Sequence, residues 1–216
     1  MTELALSRIH FPVTTLGPGA RIGIWFQGCS IRCPGCVSLD TWARGRGITD
    51  VEAVLQNIKP FLAHADGLTV SGGEPFDQPV ALHALLTAWR HASAGDVLVY
   101  SGYTLEWLTQ QLEAFEGLID ALITDPFQLE TPQTKALRGS DNQRLTPLTP
   151  VGIARFSAFN GTLREDEWAL DIMFEDDIGT VFLAGIPRRG DLQRLKDVMS
   201  LSGHRIVTTQ DKLRAE

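Results

Sequence analysis

All three cysteines of this 216-residue chain fall in one short stretch, Gly28-Cys29-Ser30-Ile31-Arg32-Cys33-Pro34-Gly35-Cys36, spaced Cys-x3-Cys-x2-Cys. Thiolates are ligands for soft metals, and their number decides what they can hold. A structural zinc closes a tetrahedron with four protein ligands, and a ferredoxin-type cluster takes four thiolates. Three thiolates on a 4Fe-4S cube leave one iron with an open coordination position, which lets a substrate or cosubstrate bind the metal directly. Gly28, Pro34 and Gly35 suit a tightly curled backbone that brings amides close to cluster sulfurs. Two plainer readings compete: three buried structural thiols, or a zinc site completed by a distant residue such as His10. The confinement of every cysteine to eight residues weighs against both.

The loop needs a scaffold, and the flanking pattern supplies one. Arg21 to Gln27 is nearly continuously apolar, as expected of a strand covered on both faces in a parallel sheet, and it delivers the loop at its C-terminal end, where such sheets place their sites. Before it, Ala5 to Val13 reads as a short or edge strand, because Pro12 interrupts it, and Gly17-Pro18-Gly19 is a turn. After it, Val51, Val54, Leu55, Ile58, Phe61 and Leu62 share a helical face, with Thr49 or Asp50 as the cap. Gly67 to Ser71 is a short buried strand ending in Gly72-Gly73-Glu74-Pro75, followed by a helix over about Gln78 to Ala94. Asp96 to Ser101 and Leu118 to Thr124 read as strands and Thr104 to Phe115 as the helix between them. This alternation predicts an α/β fold, a partial parallel (βα) barrel over residues 1–150.

Past residue 150 the rhythm breaks. Arg155 to Asn160, Trp168 to Phe174 and Thr180 to Ile186 alternate like antiparallel strands, with Asp176 to Gly179 as a turn. A helix over Asp191 to Leu201 and a last strand over His204 to Thr209 complete a small α+β appendage, residues 151–216.

Composition narrows the function classes. Hydrophobic content of 44% and charged content of 21% are those of a globular protein, and no apolar run is long enough to span a membrane. Met1 to Arg8 lacks the basic and apolar regions of a secretory signal, and three cysteines outside any disulfide framework suit a cytoplasmic setting. A net charge of -7 argues against nucleic-acid or membrane-surface binding and leaves a protein partner open.

The cysteine loop after a strand resembles that of the radical S-adenosylmethionine enzymes. Further words sharpen the likeness: Gly17-Pro18-Gly19-Ala20-Arg21, Asp40-Thr41-Trp42, Ser71-Gly72-Gly73-Glu74-Pro75-Phe76, Tyr100-Ser101-Gly102-Tyr103 and Arg138-Gly139-Ser140-Asp141-Asn142-Gln143-Arg144. In that order, over about residues 5 to 150, they resemble the activating proteins of anaerobic ribonucleoside-triphosphate reductase, a glycyl-radical activating branch.

The resemblance implies a 4Fe-4S cluster on Cys29, Cys33 and Cys36, with S-adenosylmethionine on the open iron. It implies an oxidoreductase that cleaves this cosubstrate to a 5'-deoxyadenosyl radical, acting on a glycyl-radical enzyme or a peptide substrate and reduced by a flavodoxin- or ferredoxin-like protein. Ser71, Gly72, Gly73 and Glu74 are the expected contacts to the cosubstrate's methionine end, through carbonyl acceptors and the Glu74 charge. Tyr100 and Ser101 follow as contacts to its ribose or methionine part, and Gly35 and Val37 as contacts near the adenine, where the family often carries an aromatic. The polar word at Arg138 to Arg144 suits a partner loop or the far end of the cosubstrate; no catalytic side chain is assigned. Modification of a peptide or small molecule is one rival, since the appendage lies beyond the part that the resemblance covers, and a non-enzymatic iron-sulfur electron carrier is another.

Overall fold

In a computed structural model, residues 1–164, 167–175, 180–208 and 211 are described. Seven strands form one sheet: β1 (Glu3–Val13), β2 (Arg21–Phe26), β3 (Ile48–Asp50), β4 (Gly67–Gly72), β5 (Asp96–Tyr100), β6 (Ala121–Thr124) and β7 (Arg144–Pro147). Their order is β3-β1-β2-β4-β5-β6-β7. β2, β4, β5 and β6 are parallel, while β1, β3 and β7 join antiparallel at the two sides. The sheet is mixed, mostly parallel at its centre, and open, which bears out the expected α/β class.

The crossovers are α1 (Val51–Ile58), α2 (Pro79–Ala92) and α3 (Leu105–Leu112). Asp50 caps α1 by accepting the Ala53 N–H at 2.8 Å, and Thr104 caps α3 by accepting the Trp107 N–H at 3.2 Å. The apolar stripe of α1 meets Ile22, Ile24, Phe26, Leu68 and Val70, and Leu82, Leu85 and Trp89 of α2 lie in the same core. Every residue of β2 is buried, as its unbroken apolar run requires, because the opposite face of the sheet is covered too.

That second cover comes from the last third of the chain. Helix α4 (Pro150–Phe156), capped by Thr149, puts the fully buried Phe156 against Leu98, Ala121, Ile123 and Leu145. The hairpin of β8 (Leu170–Glu175) and β9 (Thr180–Gly185) sets Ala184 and Met173 against Val13, Leu16 and Trp25. Its latch is Asp171, whose carboxylate accepts the Thr14 N–H and O–H at 2.7 Å each, the Thr15 N–H at 3.1 Å and the Thr15 O–H at 2.9 Å. Asp171→Ala should free the hairpin at a cost of about 1–3 kcal/mol. Hydrogen exchange should then rise in 170–185 while β2 and β4 keep their protection.

Arg155 to Asn160 is helical, α4 continued by a 3-10 turn over Ser157–Asn160, and not the expected strand. A capping Thr149 and Pro150 in the first turn decide it locally, and burial of Phe156 fixes it. Helix α5 (Asp191–Leu201) stands where expected. The turn at Asp176 to Gly179 lies outside the described residues, as does Thr209; His204 to Thr208 form no strand. Among the described residues, no helix is long and apolar enough to cross a membrane.

Candidate functional site

Because β2, β4, β5 and β6 run parallel, the segments after Phe26, Gly72, Tyr100 and Thr124 share one rim. The cysteine loop, the Gly-Gly-Glu turn, Ser101-Gly102-Tyr103 and the connection from Asp125 therefore meet there. Hydrogen bonds tie each to the next. The Gly73 N–H donates to the Phe26 carbonyl at 2.8 Å, and the Glu74 N–H to the Gly28 carbonyl at 2.9 Å. A Cβ on Gly73 would overlap that Gly28 oxygen, and one on Gly72, whose φ is +105°, would overlap the Phe26 backbone. The two glycines thus serve the base of the cysteine loop as well as the turn.

Glu74 is buried, and its carboxylate accepts the Phe76 N–H at 3.0 Å, the Ser101 O–H at 2.9 Å and the Gly102 N–H at 2.8 Å. Burial pushes the carboxyl up to about 7, against the pull of these three donors. Its role in the structure is to bind the ends of β4 and β5 together. The Ser101 hydroxyl is likewise committed to Glu74 and accepts the Tyr103 N–H at 3.1 Å. Ser71 sits half-buried at the end of β4, paired with Trp25. Tyr100 faces the side covered by the tail, its hydroxyl buried without a hydrogen-bond partner among the described residues, and burial pushes its pKa up.

Within the loop, Cys29 is buried and Cys33 and Cys36 are half-buried. Burial pushes all three thiols up, Cys36 to about 11. Backbone N–H groups oppose it: Ile31 and Arg32 toward Cys29, Phe127 toward Cys33 and Ser38 toward Cys36. The Arg32 N–H stands 3.5 Å from the Cys29 sulfur, with Arg32 at φ +52°. Amides aimed at sulfur are the surroundings that stabilise thiolates on an iron-sulfur cluster, so the donor set fits one.

Among the described residues, no three His, Cys, Asp or Glu side chains gather closely enough to hold a single metal ion. A cube engages each thiolate through a different iron, so it asks for no such gathering. His10, the distant zinc ligand considered from sequence, packs its ring against Trp25 at 5.5 Å and Phe182 at 5.1 Å, on the appendage side.

Gly35 lies against Phe127 and Leu129 of the β6–β7 connection, and Val37 is exposed. These two apolar neighbours were not singled out in the sequence; the signal was Asp125-Pro126-Phe127, read there only as a turn. Arg138 to Arg144 turns its polar groups inward. Arg138 is buried and donates to the carbonyls of Ala136, at 2.9 Å, and Phe159. Asp141 accepts the Thr134 N–H and O–H at 2.8 Å each, and Gln143 accepts the Gly139 N–H at 2.8 Å. Arg144 pairs with Glu106 and Asp125 at 2.6 Å each. The word braces the rim rather than offering free donors. Arg21 is fully buried and pairs with Asp96 at 2.6 Å.

Comparison with known proteins agrees with this arrangement. The family described as a 4Fe-4S single cluster domain matches residues 15–146, from the turn before β2 to the end of the sheet. The chain belongs to that iron-sulfur family. Within it, the chain is 31% identical to the anaerobic ribonucleoside-triphosphate reductase-activating protein of enterobacteria phage T4, over 60% of this chain and 85% of that one. The protein of that name from Haemophilus influenzae is also 31% identical, over 62% and 92%. The pyruvate formate-lyase-activating enzyme of Streptococcus mutans is 30% identical over 60% of this chain and 52% of its own length. Among solved structures, QueE from Escherichia coli aligns at 16% identity with a TM-score of 0.41, over 48% of this chain and 55% of that one.

Proposed function

We propose that this chain is a radical S-adenosylmethionine enzyme that installs a glycyl radical on an anaerobic ribonucleotide reductase or a related partner protein. The observation that carries the reading is a loop of three amide-lined thiols, one short of a full cluster set, on a rim shared with a Gly-Gly-Glu turn, in a chain about 30% identical to proteins named as activators of such enzymes.

Cys29, Cys33 and Cys36 hold a 4Fe-4S cluster. When bound, the cluster and S-adenosylmethionine supply one-electron cleavage of the sulfonium to methionine and a 5'-deoxyadenosyl radical, which abstracts a hydrogen atom. The chain's own residues bind and orient. Backbone carbonyls of Ser71, Gly72 and Gly73 receive the cosubstrate's ammonium, with Glu74 and Ser101 fixing that backbone from behind through their mutual hydrogen bond. Gly35, Val37 and the neighbouring Phe127 and Leu129 offer apolar contact on the adenine side. Tyr100 closes the sheet face beneath. A flavodoxin- or ferredoxin-like protein delivers the electron in the cytoplasm, residues 1–150 form the catalytic core, and 151–216 extend it.

The test is anaerobic reconstitution with iron and sulfide, reduction, and incubation with S-adenosylmethionine. The expected result is 5'-deoxyadenosine, and a glycyl-radical doublet in electron paramagnetic resonance once an anaerobic ribonucleotide reductase is added. A non-enzymatic carrier would release no 5'-deoxyadenosine. One observation favours a second reading: the family match ends at residue 146, so the tail has room to recognise a peptide or small molecule instead. Turnover on such a substrate with none on any glycyl-radical partner would decide for it.

A further inference from the structure

Ser30 is the first residue after the first cysteine, and both of its polar groups go to one side chain. Asp77, just past the Gly-Gly-Glu-Pro turn, accepts the Ser30 N–H at 2.8 Å and the Ser30 O–H at 2.8 Å. The same carboxylate accepts the Tyr103 O–H at 2.8 Å and faces the Arg44 guanidinium at 3.4 Å. Ser30 and Tyr103 hydroxyls lie 2.9 Å apart, which closes a triangle. Tyr103 is itself fixed. Its ring stacks on Trp107 at 3.7 Å between centroids, and its carbonyl accepts the Asp125 N–H at 2.8 Å. Three rim segments thus converge on one carboxylate whose side chain is 14% exposed.

Pinning Ser30 has a consequence for the next two residues. Their N–H groups, on Ile31 and Arg32, are the ones aimed at the Cys29 sulfur, and Arg32 holds the left-handed conformation that this requires. We infer that Asp77 is a positioning residue for the cluster: it acts through Ser30 to hold the Ile31 and Arg32 amides on the Cys29 sulfur, and so sets how firmly the cluster is kept and how easily it is reduced. Its place on the segment that carries the Gly-Gly-Glu turn couples the cosubstrate cradle to the cluster loop. This rests on the cluster assignment above and on no assumption about the partner.

The experiment uses the full chain, reconstituted anaerobically, as wild type, Asp77→Asn and Asp77→Ala. Iron loss to a chelator, the spectrum of the reduced cluster, its midpoint potential and the melting of the metal-free proteins are measured. Removing the outer support of a metal ligand typically weakens retention about 10- to 100-fold, and Asp77→Ala should lose iron faster by that factor with an altered spectrum. Asp77→Asn keeps an oxygen for the Ser30 N–H, so it should retain iron nearly as wild type. It should nevertheless reduce at a less negative potential, because a negative charge beside the cluster is gone. Wild-type retention and spectrum in Asp77→Ala would overturn the inference. If Asp77→Ala does not fold, an unchanged potential in Asp77→Asn overturns it alone. Wild type that takes up no cluster would sink the cluster assignment itself, before any variant is compared.

Discussion

Cys33→Ala should abolish both the cluster absorbance and the release of 5'-deoxyadenosine while leaving the fold intact. Cys33 sits at the top of the loop, half-buried, in contact with the Phe127 amide rather than with the hydrophobic core. Its loss removes one of only three protein ligands, and two thiolates do not hold a cube. The chain's stability comes from the sheet and its two covers, in which Cys33 has no part, so the metal-free variant should melt within a few tenths of a kcal/mol of wild type. Iron and sulfide analysis, far-ultraviolet circular dichroism and product chromatography check all three statements. Retention of a normal cluster by Cys33→Ala would refute the ligand assignment.

Gly73→Ala should be the most damaging single-methyl change in the chain. A Cβ there falls on the Gly28 carbonyl oxygen, with the Thr41 carbonyl 3.0 Å away, and both are backbone atoms with no rotamer to yield. The turn or the loop must move. Either movement breaks the Gly73–Phe26 and Glu74–Gly28 hydrogen bonds, at 2.8 and 2.9 Å, that set the cysteine loop on its base. Strain and lost bonds together cost on the order of 3 kcal/mol, a large part of a typical domain stability of about 5–15 kcal/mol. Denaturant unfolding should show that loss, and reconstitution should give less cluster per chain. Gly45→Ala, at a position with open space around it, is the control, and its cost should be limited to that of its left-handed φ of +72°. Equal stability of Gly73→Ala and wild type would show that the close approach of the two loops is not required.

Much of this arrangement could be read from the sequence because local signals and burial agreed. The apolar run of β2, the helical stripe from Val51, and the strands at Gly67 and Asp96 each carry the period of their element, and each was placed to within a few residues. Where signals conflicted, the reading failed. Phe156 and its neighbours alternate like a strand, yet the Thr149 cap, Pro150 and the pocket formed by Leu98 and Ile123 make them helix. Strand β7 went unseen because Arg144-Leu145-Thr146-Pro147 has one apolar residue facing the core and gains its place by pairing with β6.

The site divides the same way. The cysteines announce their chemistry by type and spacing. Asp77, Ser30 and Tyr103 do not, since their meeting depends on three parallel strands ending at one rim, 47 and 73 residues apart along the chain. Glu74 was expected to act by charge, yet its oxygens are taken up by Phe76, Ser101 and Gly102. Sequence shows that a carboxylate is present at a turn; only packing shows which donors reach it first.

Phe156 covers Leu98, Ala121 and Ile123 and lies 5.5 Å beneath the Arg21 guanidinium, while the Arg138 side chain reaches the Phe159 carbonyl. A chain cut after Pro147 would therefore wet a greasy floor and strip a cation of its roof. What lies past the conserved-looking words is no detachable passenger, and any attempt to trim this enzyme to the length of its shorter cousins must first repaint that surface.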